Sequence, residues 1–434
     1  MQANSSRVPP VLTSALILFA INVLNFYDRA VPGALAEPMR KEFGLTDTEL
    51  GILGSAFIWI YAIVGVPLGR LADSWSRRKL LASGVAVWSV LTATAAVATT
   101  FPMLLLSRMG VGVGEAVCAP TGTSWLGDLF PPNRRARVLA LFMLGVPIGT
   151  ALSMIFSGPM AQAWGWRAAM VAAGLPALIL VPALLRLQEP ERGASEVDLG
   201  GGQESSLRDV LSIPTLWWII LSGVFLNFNM YAFSAFMPAF LSRVHMMSLA
   251  QSGLATGLVV MIGGVSGGLL AGHVGDRIIH KRKNGRLWIA SFIALGGAPC
   301  AYFGILQPHA ATWTALVLLA FAYAAMNTYY GLVYSSIQDI VAPRQRGITM
   351  ALYFMVMYLC GASFGPLLTG SLSDRFARQA MAGAGAVKMT EAFRGVGLQQ
   401  AMQLIPVLLI ALAAVLYLGS RTIARDMDRK AVRV

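Results

Sequence analysis

The chain has 434 residues, of which 56% are hydrophobic and only 12% are charged. This composition excludes a soluble globular protein and predicts an integral membrane protein. The formal net charge of +13 does not indicate nucleic acid as a partner, because most lysines and arginines cluster in alternate connections between apolar stretches. We expect these clusters to face the cytoplasm and to attract anionic membrane lipids.

Long apolar runs recur from end to end, and at about 20 residues per crossing they predict an all-α fold with twelve transmembrane helices. The predicted spans are 11–33, 48–72, 79–99, 102–129, 137–162, 167–187, 214–242, 249–275, 287–306, 311–340, 347–373 and 399–420. The basic connections then predict a multi-pass protein of the plasma or inner membrane with both termini in the cytoplasm. The first span also has features of a signal peptide, but the charged pair Asp28-Arg29 after its apolar run favours retention.

The first span carries a polar stripe. Asn22, Asn25, Asp28 and Arg29 occupy a sector of about 120° on a helix of 3.6 residues per turn. Such a stripe within an apolar span predicts a surface that lines a cavity. Neighbouring residues point about 100° apart, so Asp28 and Arg29 are poorly placed to neutralise each other.

The fourth span contains the most strongly charged membrane segment, Leu106-Ser-Arg-Met-Gly-Val-Gly-Val-Gly-Glu-Ala116. Helical spacing puts Arg108 and Glu115 on one face about two turns apart, and Gly110 and Gly114 on the opposite face. The glycine face predicts close helix packing, and the charged face predicts a buried coupling site. The alternative is a structural ion pair that fixes the helix register.

The chain divides into two similar halves. Residues 1–187 form the predicted N-terminal six-helix lobe, and residues 214–434 form the C-terminal one. The connection between them, 188–213, is rich in glycine and charged residues and is predicted to be a cytoplasmic linker with one short surface helix at 206–211. The segment from Asp128 to Phe142 aligns without gaps on that from Asp339 to Tyr353, and the Gly69–Asp73 pattern recurs at Gly272–Asp276. Two parallel repeats of six spans are typical of transporters whose site lies between the lobes.

The second half has no charged residue in the middle of any predicted span. Instead, two of its spans carry aromatic and amide side chains at helical spacing, a pattern that suits a substrate with an apolar body and a polar head. The predicted substrate-binding residues of this half are Asn227, Tyr231, Tyr323, Asn327, Tyr330 and Tyr334. The alternative is that the tyrosines pack the two lobes together.

Gly69-x-x-x-Asp73 followed by Arg77-Arg78-Lys79 resembles the loop signature of the major facilitator superfamily, although Ser74 and Ser76 stand where that family usually has a basic residue and a glycine. The resemblance covers the whole chain and implies the fold of that superfamily with alternating access. It also implies a conformational latch in which Asp73 pairs with arginine and a helix end. When the equivalent positions of the second half are included, the predicted latch residues are Gly69, Asp73, Arg77, Arg78, Asp128, Arg135, Asp276, Arg277, Asp339 and Arg346.

A narrower resemblance rests on three segments of the first half. They are Asn22-Val-Leu-Asn-Phe-Tyr-Asp28-Arg29, Gly112-Val-Gly-Glu115-Ala and Asp128-Leu-Phe-Pro-Pro-Asn-Arg-Arg135. Together these segments look like the spinster family of lysolipid and sphingolipid transporters. The resemblance implies that the first and fourth spans meet, so that Arg29 contacts Glu115 and Arg108 contacts Asp28 or the substrate. Burial and a nearby guanidinium shift the proton affinity of a carboxyl group in opposite directions, so these four residues are predicted to couple transport to protons.

The predicted function is therefore proton-coupled transport of lysophospholipid-like or sphingolipid-like amphiphiles. We expect Glu115 to be the main proton carrier and Asp28 the second. Arg29 and Arg108 are expected to tune the proton affinity of these acids or to bind an anionic headgroup. Asn25 and Arg29 are also predicted to contact the substrate. The alternatives are a proton-coupled symporter of small organic anions and an uncoupled lipid facilitator. A membrane enzyme is not predicted, because no nucleophile, base or metal groups converge. We expect no cofactor beyond the proton gradient, no metal site and a monomer.

Overall fold

The computed structural model describes residues 10–191, 210–279, 281–341 and 345–433, and these residues are helical with no strand among them. In the first half the helices are α1 (Pro10–Ala34), α2 (Ala36–Phe43), α3 (Asp47–Ser74), α4 (Arg77–Ala95), α5 (Phe101–Glu115), α6 (Cys118–Leu129), α7 (Pro132–Met143) and α8 (Gly145–Leu185). The all-α membrane fold predicted from composition is confirmed by this architecture.

Local sequence sets several helix ends in this half. The Ser76 hydroxyl accepts a hydrogen bond from the backbone N–H of Lys79 at 3.4 Å and so caps the start of α4. Thr100 caps α5 in the same way through the N–H of Met103, also at 3.4 Å. At the end of α2, Gly44 adopts the left-handed conformation at φ 66°, which glycine reaches without strain.

The longest helix corresponds to two membrane crossings. α8 has 41 residues, which is about 60 Å of straight helix and about twice the thickness of the hydrocarbon core. Gly165 interrupts its helical backbone at φ 82° and ψ 158°. This break falls between the predicted spans 137–162 and 167–187, so the prediction of two spans there agrees with the backbone.

In the second half the helices are α9 (Pro214–Val244), α10 (Leu249–Ile279), α11 (Gly285–Leu306), α12 (Thr312–Ile340), α13 (Arg346–Val356), α14 (Phe364–Gly383), α15 (Glu391–Met402) and α16 (Leu404–Arg433). A short 3₁₀ turn at His309–Ala311 precedes α12, and a π-helical turn at Met357–Ala362 joins α13 to α14. π-Helical turns often occur at functional positions.

Ten helical segments of the described chain are long and apolar enough to cross a membrane. α8 counts once among these ten although it holds two crossings. α4 is not among them, because its first turn is basic and it carries several hydroxyl residues. Adding these two crossings accounts for the twelve predicted spans.

Some element boundaries differ from those expected from the sequence. The predicted span 102–129 is two helices, α5 and α6, and the last helix continues to Arg433 instead of ending near 420. α2 was not predicted, because its eight residues include four charged ones and are too polar for a span. The surface helix predicted at 206–211 lies mostly outside the described residues.

The chain forms two compact units. One holds the chain up to Pro32 together with Ile60–Gly201, and the other holds Gly33–Trp59 together with the chain from Gly202 onward. Residues 33–59 thus make most of their contacts within the second unit, and the predicted lobe boundaries of 1–187 and 214–434 stay a prediction. The core of the second unit includes the fully buried rings of Phe233, Phe236 and Phe240.

The glycine face of α5 packs against α4. A Cβ atom added at Gly114 would lie 2.9 Å from the carbonyl oxygen of Gly84 and 2.8 Å from the backbone nitrogen of Trp88. Only a residue without a side chain permits this approach. The predicted close packing of α5 is confirmed, and it turns the opposite face, with Arg108 and Glu115, toward α1.

Candidate functional site

The first part of the candidate site is an ion pair between α1 and α5. Arg29 Nε donates to Glu115 Oε2 at 2.7 Å, and the two side chains are 7% and 0% exposed. The other carboxylate oxygen, Glu115 Oε1, is buried without a hydrogen-bond partner among the described residues. A buried carboxylate oxygen without a donor is costly as an anion.

A second pair lies beside it and includes a residue that the sequence did not indicate. Arg108 Nη1 donates to Asp28 Oδ1 at 3.3 Å, and Nη2 donates to the Asp28 backbone oxygen at 3.2 Å. The Thr92 hydroxyl, on α4, donates to Asp28 Oδ2 at 2.8 Å and accepts from Arg108 Nη1 at 3.3 Å. Because α4 carries several serines and threonines, no feature of the sequence marks Thr92 among them.

These are the two contacts that the spinster resemblance implied, Arg29 with Glu115 and Arg108 with Asp28. The Arg29 guanidinium also lies over two aromatic rings, 4.7 Å from the centroid of Phe26 and 4.2 Å from that of Tyr61. A desolvated cation–π contact contributes about 2 kcal/mol or more, so these rings stabilise the arginine charge independently of Glu115. The arrangement can accept a proton on a carboxylate while the guanidinium remains favourably placed.

The two asparagines of the polar stripe lie in different surroundings. Asn22 Nδ2 donates to the carbonyl oxygen of Phe142 at 2.7 Å and so joins α1 to α7. Asn25, a predicted substrate contact, is 1% exposed, and its Nδ2 has no hydrogen-bond partner among the described residues. Asn22 thus has a structural contact, whereas the binding role of Asn25 stays a prediction.

In the second unit, the predicted aromatic and amide residues separate into two layers. The inner layer is buried: Tyr323 is 5% exposed and packs on Phe233 at 5.1 Å between ring centroids, and Asn227 is 2% exposed. Asn227 Nδ2 donates to the Gly223 carbonyl oxygen at 2.9 Å and lies 3.1 Å from the Met357 sulfur. Asn227 also accepts a hydrogen bond from the Tyr330 hydroxyl at 3.4 Å, and the binding role of Asn227 and Tyr323 stays a prediction.

The outer layer is half-buried and forms what we call the aromatic wall. It consists of Tyr231, Asn327, Tyr330, Tyr334, Phe354 and Tyr358. The rings pack edge to face, with centroid distances of 5.5 Å for Tyr330 and Tyr334 and 5.6 Å for Tyr334 and Phe354. Phe354 and Tyr358 were not predicted, because their span, 347–373, carries no amide side chain beside its aromatic rings.

At the basic end of α4, Arg77 is the centre of a buried cluster. Its Nη1 donates to Asp128 Oδ2 at 2.5 Å, and its Nη2 donates to the carbonyl oxygen of Pro190 at 2.8 Å. Glu189 accepts from the Ser76 hydroxyl at 2.7 Å and from the Arg77 backbone N–H at 2.9 Å. The start of the linker is thus bound to the first turn of α4, where the helix dipole favours a carboxylate.

Glu189 is expected to make stability depend on pH in the acidic range. Burial alone would raise the pKa of Glu189, but hydrogen bonds from Ser76 and from the N–H groups of Arg77 and Arg78 hold it below the ordinary value of 4.5. The stabilisation is therefore complete above pH 4.5 and is lost as the pH falls through the lowered pKa. Thermal unfolding in detergent should show a smaller acid-induced decrease in Tm for Glu189→Gln than for the wild type; equal decreases would contradict the assignment.

The repeat reproduces this ion pair in the second half. Arg286, in the first turn of α11, donates to Asp339 Oδ2 at 2.6 Å. In the first half, Arg77 in the first turn of α4 contacts Asp128, the residue that aligns with Asp339. Three other predicted latch residues, Asp73, Arg135 and Asp276, have side chains outside the described positions.

The remaining predicted latch residues have contacts of other kinds. Arg78 donates to the Leu187 carbonyl oxygen at 3.1 Å, Arg277 lies 2.5 Å from His273 Nε2, and Arg346 donates to the Gln338 carbonyl oxygen at 3.5 Å. Gly69 lies within α3, where an added Cβ would contact nothing. For all of these residues the latch role stays a prediction.

The second unit also contains a charged cluster that was not predicted from the sequence. Arg243 donates to both oxygens of Asp47, at 2.7 and 2.8 Å, and to Glu37 at 2.6 Å, while Arg40 bridges Glu37 and Glu391 at 3.0 and 2.7 Å. Burial alone would lower the pKa of Arg40, but the charge of Glu37 raises it. The cluster went unnoticed because its members lie at span ends, where charged residues are common.

Comparisons with known proteins show which family this chain is similar to. The sequence profile described as Major Facilitator Superfamily matches residues 18–366. The chain is 30% identical over 364 residues to an MFS-type efflux pump of Mycolicibacterium smegmatis, covering 82% of this chain and 83% of that protein. It is 28% identical over 390 residues to a probable L-galactonate transporter of Escherichia coli, covering 86% and 85%.

Among solved structures, a bacterial homologue of the human lysosomal transporter spinster superposes with a TM-score of 0.84 and 25% identity, covering 97% of this chain and 99% of that one. The match over nearly the whole of both chains supports the spinster resemblance that the charged motifs carried. These findings point to a transporter and not to an enzyme. The chain belongs to the Major Facilitator Superfamily.

Proposed function

We propose that this transporter moves single-chain amphiphiles of the lysophospholipid or sphingolipid type and couples their movement to protons. The observation that carries the coupling is the Arg29–Glu115 pair, in which a fully buried carboxylate has one oxygen satisfied by a cation and the other unsatisfied. Protonating Glu115 removes an anionic charge from low dielectric.

The second acid supports a stepwise process. Asp28 accepts hydrogen bonds from Thr92 and Arg108, which satisfy both of its carboxylate oxygens. Both oxygens of Asp28 thus face hydrogen-bond donors, whereas only one oxygen of Glu115 does. Glu115 is therefore the main proton carrier in this proposal, and Asp28 takes part when its contacts with Arg108 change.

The substrate is assigned to the aromatic wall. Its half-buried rings offer apolar surface, and Asn327 and the tyrosine hydroxyls offer hydrogen bonds, a combination that suits an amphiphile. The aromatic wall belongs to the second unit, whereas Asp28 and Glu115 belong to the first. In this proposal, proton coupling and substrate recognition therefore use different residues. We propose further that the protein acts as a monomer, with both termini in the cytoplasm, in a plasma or inner membrane.

Proton flux in proteoliposomes tests this function. Purified protein is reconstituted, a pH gradient is imposed, and proton movement is followed after addition of lysophospholipid, with sugar acids in a parallel series. We expect flux that depends on the lysophospholipid. Movement of the lipid without protons would identify an uncoupled facilitator and would contradict the coupling.

Substrate affinity should depend on the aromatic wall. Tyr330→Ala and Asn327→Ala each remove a half-buried polar contact, and we expect each to weaken apparent lysophospholipid affinity about fivefold to tenfold, which corresponds to roughly 1 to 1.4 kcal/mol. Tyr302→Ala, at a 46% exposed tyrosine on α11, is the matched control. Unchanged affinity in both wall variants would remove the wall from the binding site.

A second candidate is a proton-coupled symporter of small organic anions. The favouring observations are the two buried arginines of the first unit, Arg29 and Arg108, whose guanidinium groups suit a carboxylate, and the similarity to a probable L-galactonate transporter. Proton flux evoked by sugar acids alone in the same proteoliposomes would favour this candidate.

A further inference from the structure

Two histidines hold the turn that follows α9. His245 ends α9 and is only 1% exposed, and its Nδ1 lies 2.9 Å from the hydroxyl oxygen of Thr312. His309 Nδ1 donates to the His245 carbonyl oxygen at 2.7 Å. Both contacts join the end of α9 to the start of α12.

The backbone of this turn is strained. Met246 has φ 56° and is the one non-glycine residue with a positive φ among those that the structure describes. This conformation costs a residue with a side chain about 1–2 kcal/mol, and it persists only where the surroundings enforce it. Met246 is 72% exposed, so its own packing does not enforce it. The turn therefore depends on the contacts of His245 and on the Leu241 carbonyl oxygen, which accepts from the N–H groups of His245 and Met247 at 3.2 Å each.

The hydrogen bonds of Thr312 determine which nitrogen of His245 carries the proton. A hydroxyl group has one hydrogen to donate, and Thr312 donates it to the His309 carbonyl oxygen at 2.6 Å. Toward His245 the hydroxyl oxygen is therefore an acceptor, and Nδ1 carries the proton of the neutral ring. Nε2 is then an unprotonated nitrogen, and it is buried with no hydrogen-bond partner among the described residues. A second proton has to bind there, where no acceptor stabilises it.

The surroundings of His245 provide no carboxylate to offset its charge. The charged and titratable groups on the neighbouring elements are Arg243 on α9, His309 before α12, Glu37 and Asp47 from residues 33–59, and Glu391 and Arg394 on α15. The three acids already bind arginines: Glu37 and Asp47 bind Arg243, and Glu391 binds Arg40. The start of α10, the end of α11 and the starts of α12 and α16 carry no charged residue. An imidazolium in the closed turn thus gains no ion pair.

Burial and the charge of His309 hold the pKa of His245 below its ordinary value of 6.5. The closed turn is therefore fully stable above pH 6.5 and loses stability as the pH falls from there through the lowered pKa, because the open form binds the proton more tightly. We propose that His245 and His309 form a pH switch, which keeps the turn closed while His245 is neutral and opens it when His245 is protonated. Since Arg243 lies in the last turn of α9, opening also loosens the cluster that Arg243 forms.

The switch lies on the membrane face opposite the linker. α9 begins just after the linker, and its 31 residues span about 46 Å, which exceeds the hydrocarbon thickness. Acid on that face therefore releases residues 33–59 from α9. This inference goes beyond the proposed function and depends neither on the substrate nor on Glu115.

Imidazole ¹⁵N chemical shifts test the switch in the wild-type protein. The chain has four histidines, so ring-labelled protein in nanodiscs gives few signals, which single substitutions assign. We expect the Nδ1–H tautomer for His245 at pH 7.5 and a titration midpoint below 6.5. His309→Asn, which removes the second charge, should raise that midpoint. An Nε2–H tautomer, or no titration of His245 down to pH 4.5, overturns the switch, and a midpoint unchanged in His309→Asn removes His309 from it.

Hydrogen exchange measured by mass spectrometry reports the opening itself. His245→Asn keeps an N–H group for Thr312 but cannot titrate, and the ratio of wild-type to variant exchange at one pH cancels the chemical pH dependence of exchange. In peptides covering 241–252 and 33–47, we expect a ratio near one at pH 7.5 that rises about fivefold to tenfold at pH 5.5, within the limit of tenfold per pH unit for one proton. His273→Asn, at an exposed histidine of α10, is the matched control and should exchange like the wild type. Equal ratios at both pH values overturn the switch, and a rise confined to 241–252 overturns its link to the Arg243 cluster.

Discussion

Glu115→Gln is expected to abolish proton-driven uptake while leaving substrate exchange in place. Glutamine keeps an oxygen that can accept from Arg29 Nε, the contact that Glu115 makes at 2.7 Å, but it carries no titratable proton. The cation–π contacts with Phe26 and Tyr61 continue to stabilise the arginine. Without a proton to release, the transporter cannot use the gradient, although an exchange that moves no net charge remains possible.

Two assays on the same proteoliposomes measure this result. Uptake driven by a pH gradient should fall to the level of protein-free liposomes, and uptake without a gradient, driven by exchange against internal substrate, should stay close to wild type. Glu42→Gln, at an exposed position in α2, is the matched control and should affect neither assay. Wild-type uptake with unchanged pH dependence would exclude Glu115 as the proton carrier, and loss of exchange as well would indicate a structural ion pair.

Arg243→Ala is expected to lower stability more than any surface substitution. The Arg243 side chain is 2% exposed, and its loss would leave the buried carboxylates of Asp47 and Glu37 without their main cation. Removing one partner of a buried ion pair typically costs about 3–5 kcal/mol, because the remaining charge is not compensated. The cluster also joins residues 33–59 to α9 within the second unit, so that segment should be released first.

Thermal unfolding in detergent checks this expectation, with limited proteolysis of α2 as a second measurement. Lys283→Ala provides the control, because Lys283 pairs with Asp428 at the surface, where both side chains are about 60% exposed, and such pairs contribute about 0–1 kcal/mol. A Tm for Arg243→Ala equal to that of Lys283→Ala would mean that the buried cluster adds nothing to stability.

Several features of this protein followed from the sequence alone. Charged residues inside an apolar span are rare enough that Asp28, Arg29, Arg108 and Glu115 stand out without any alignment. Helical periodicity then predicted which of them point together, and the glycine spacing of α5 predicted its packing face. Hydrophobic runs and basic connections predicted the number of crossings, since hydrocarbon thickness limits the length of each span.

Helical periodicity by itself did not decide which groups meet. The spinster resemblance implied the contacts of Arg29 with Glu115 and of Arg108 with Asp28, and the tertiary structure shows them and adds Thr92. Arg29 and Glu115 are separated by 86 positions in the chain, and the hydroxyl of Thr92 reaches Asp28 from 64 positions away. Such contacts depend on how each helix is rotated, and side-chain packing across several helices sets that rotation. The same packing buried Tyr323 fully and Tyr334 only partly, although both lie on one apparent stripe. It also brought Arg243, Asp47 and Glu37 from three span ends into one cluster.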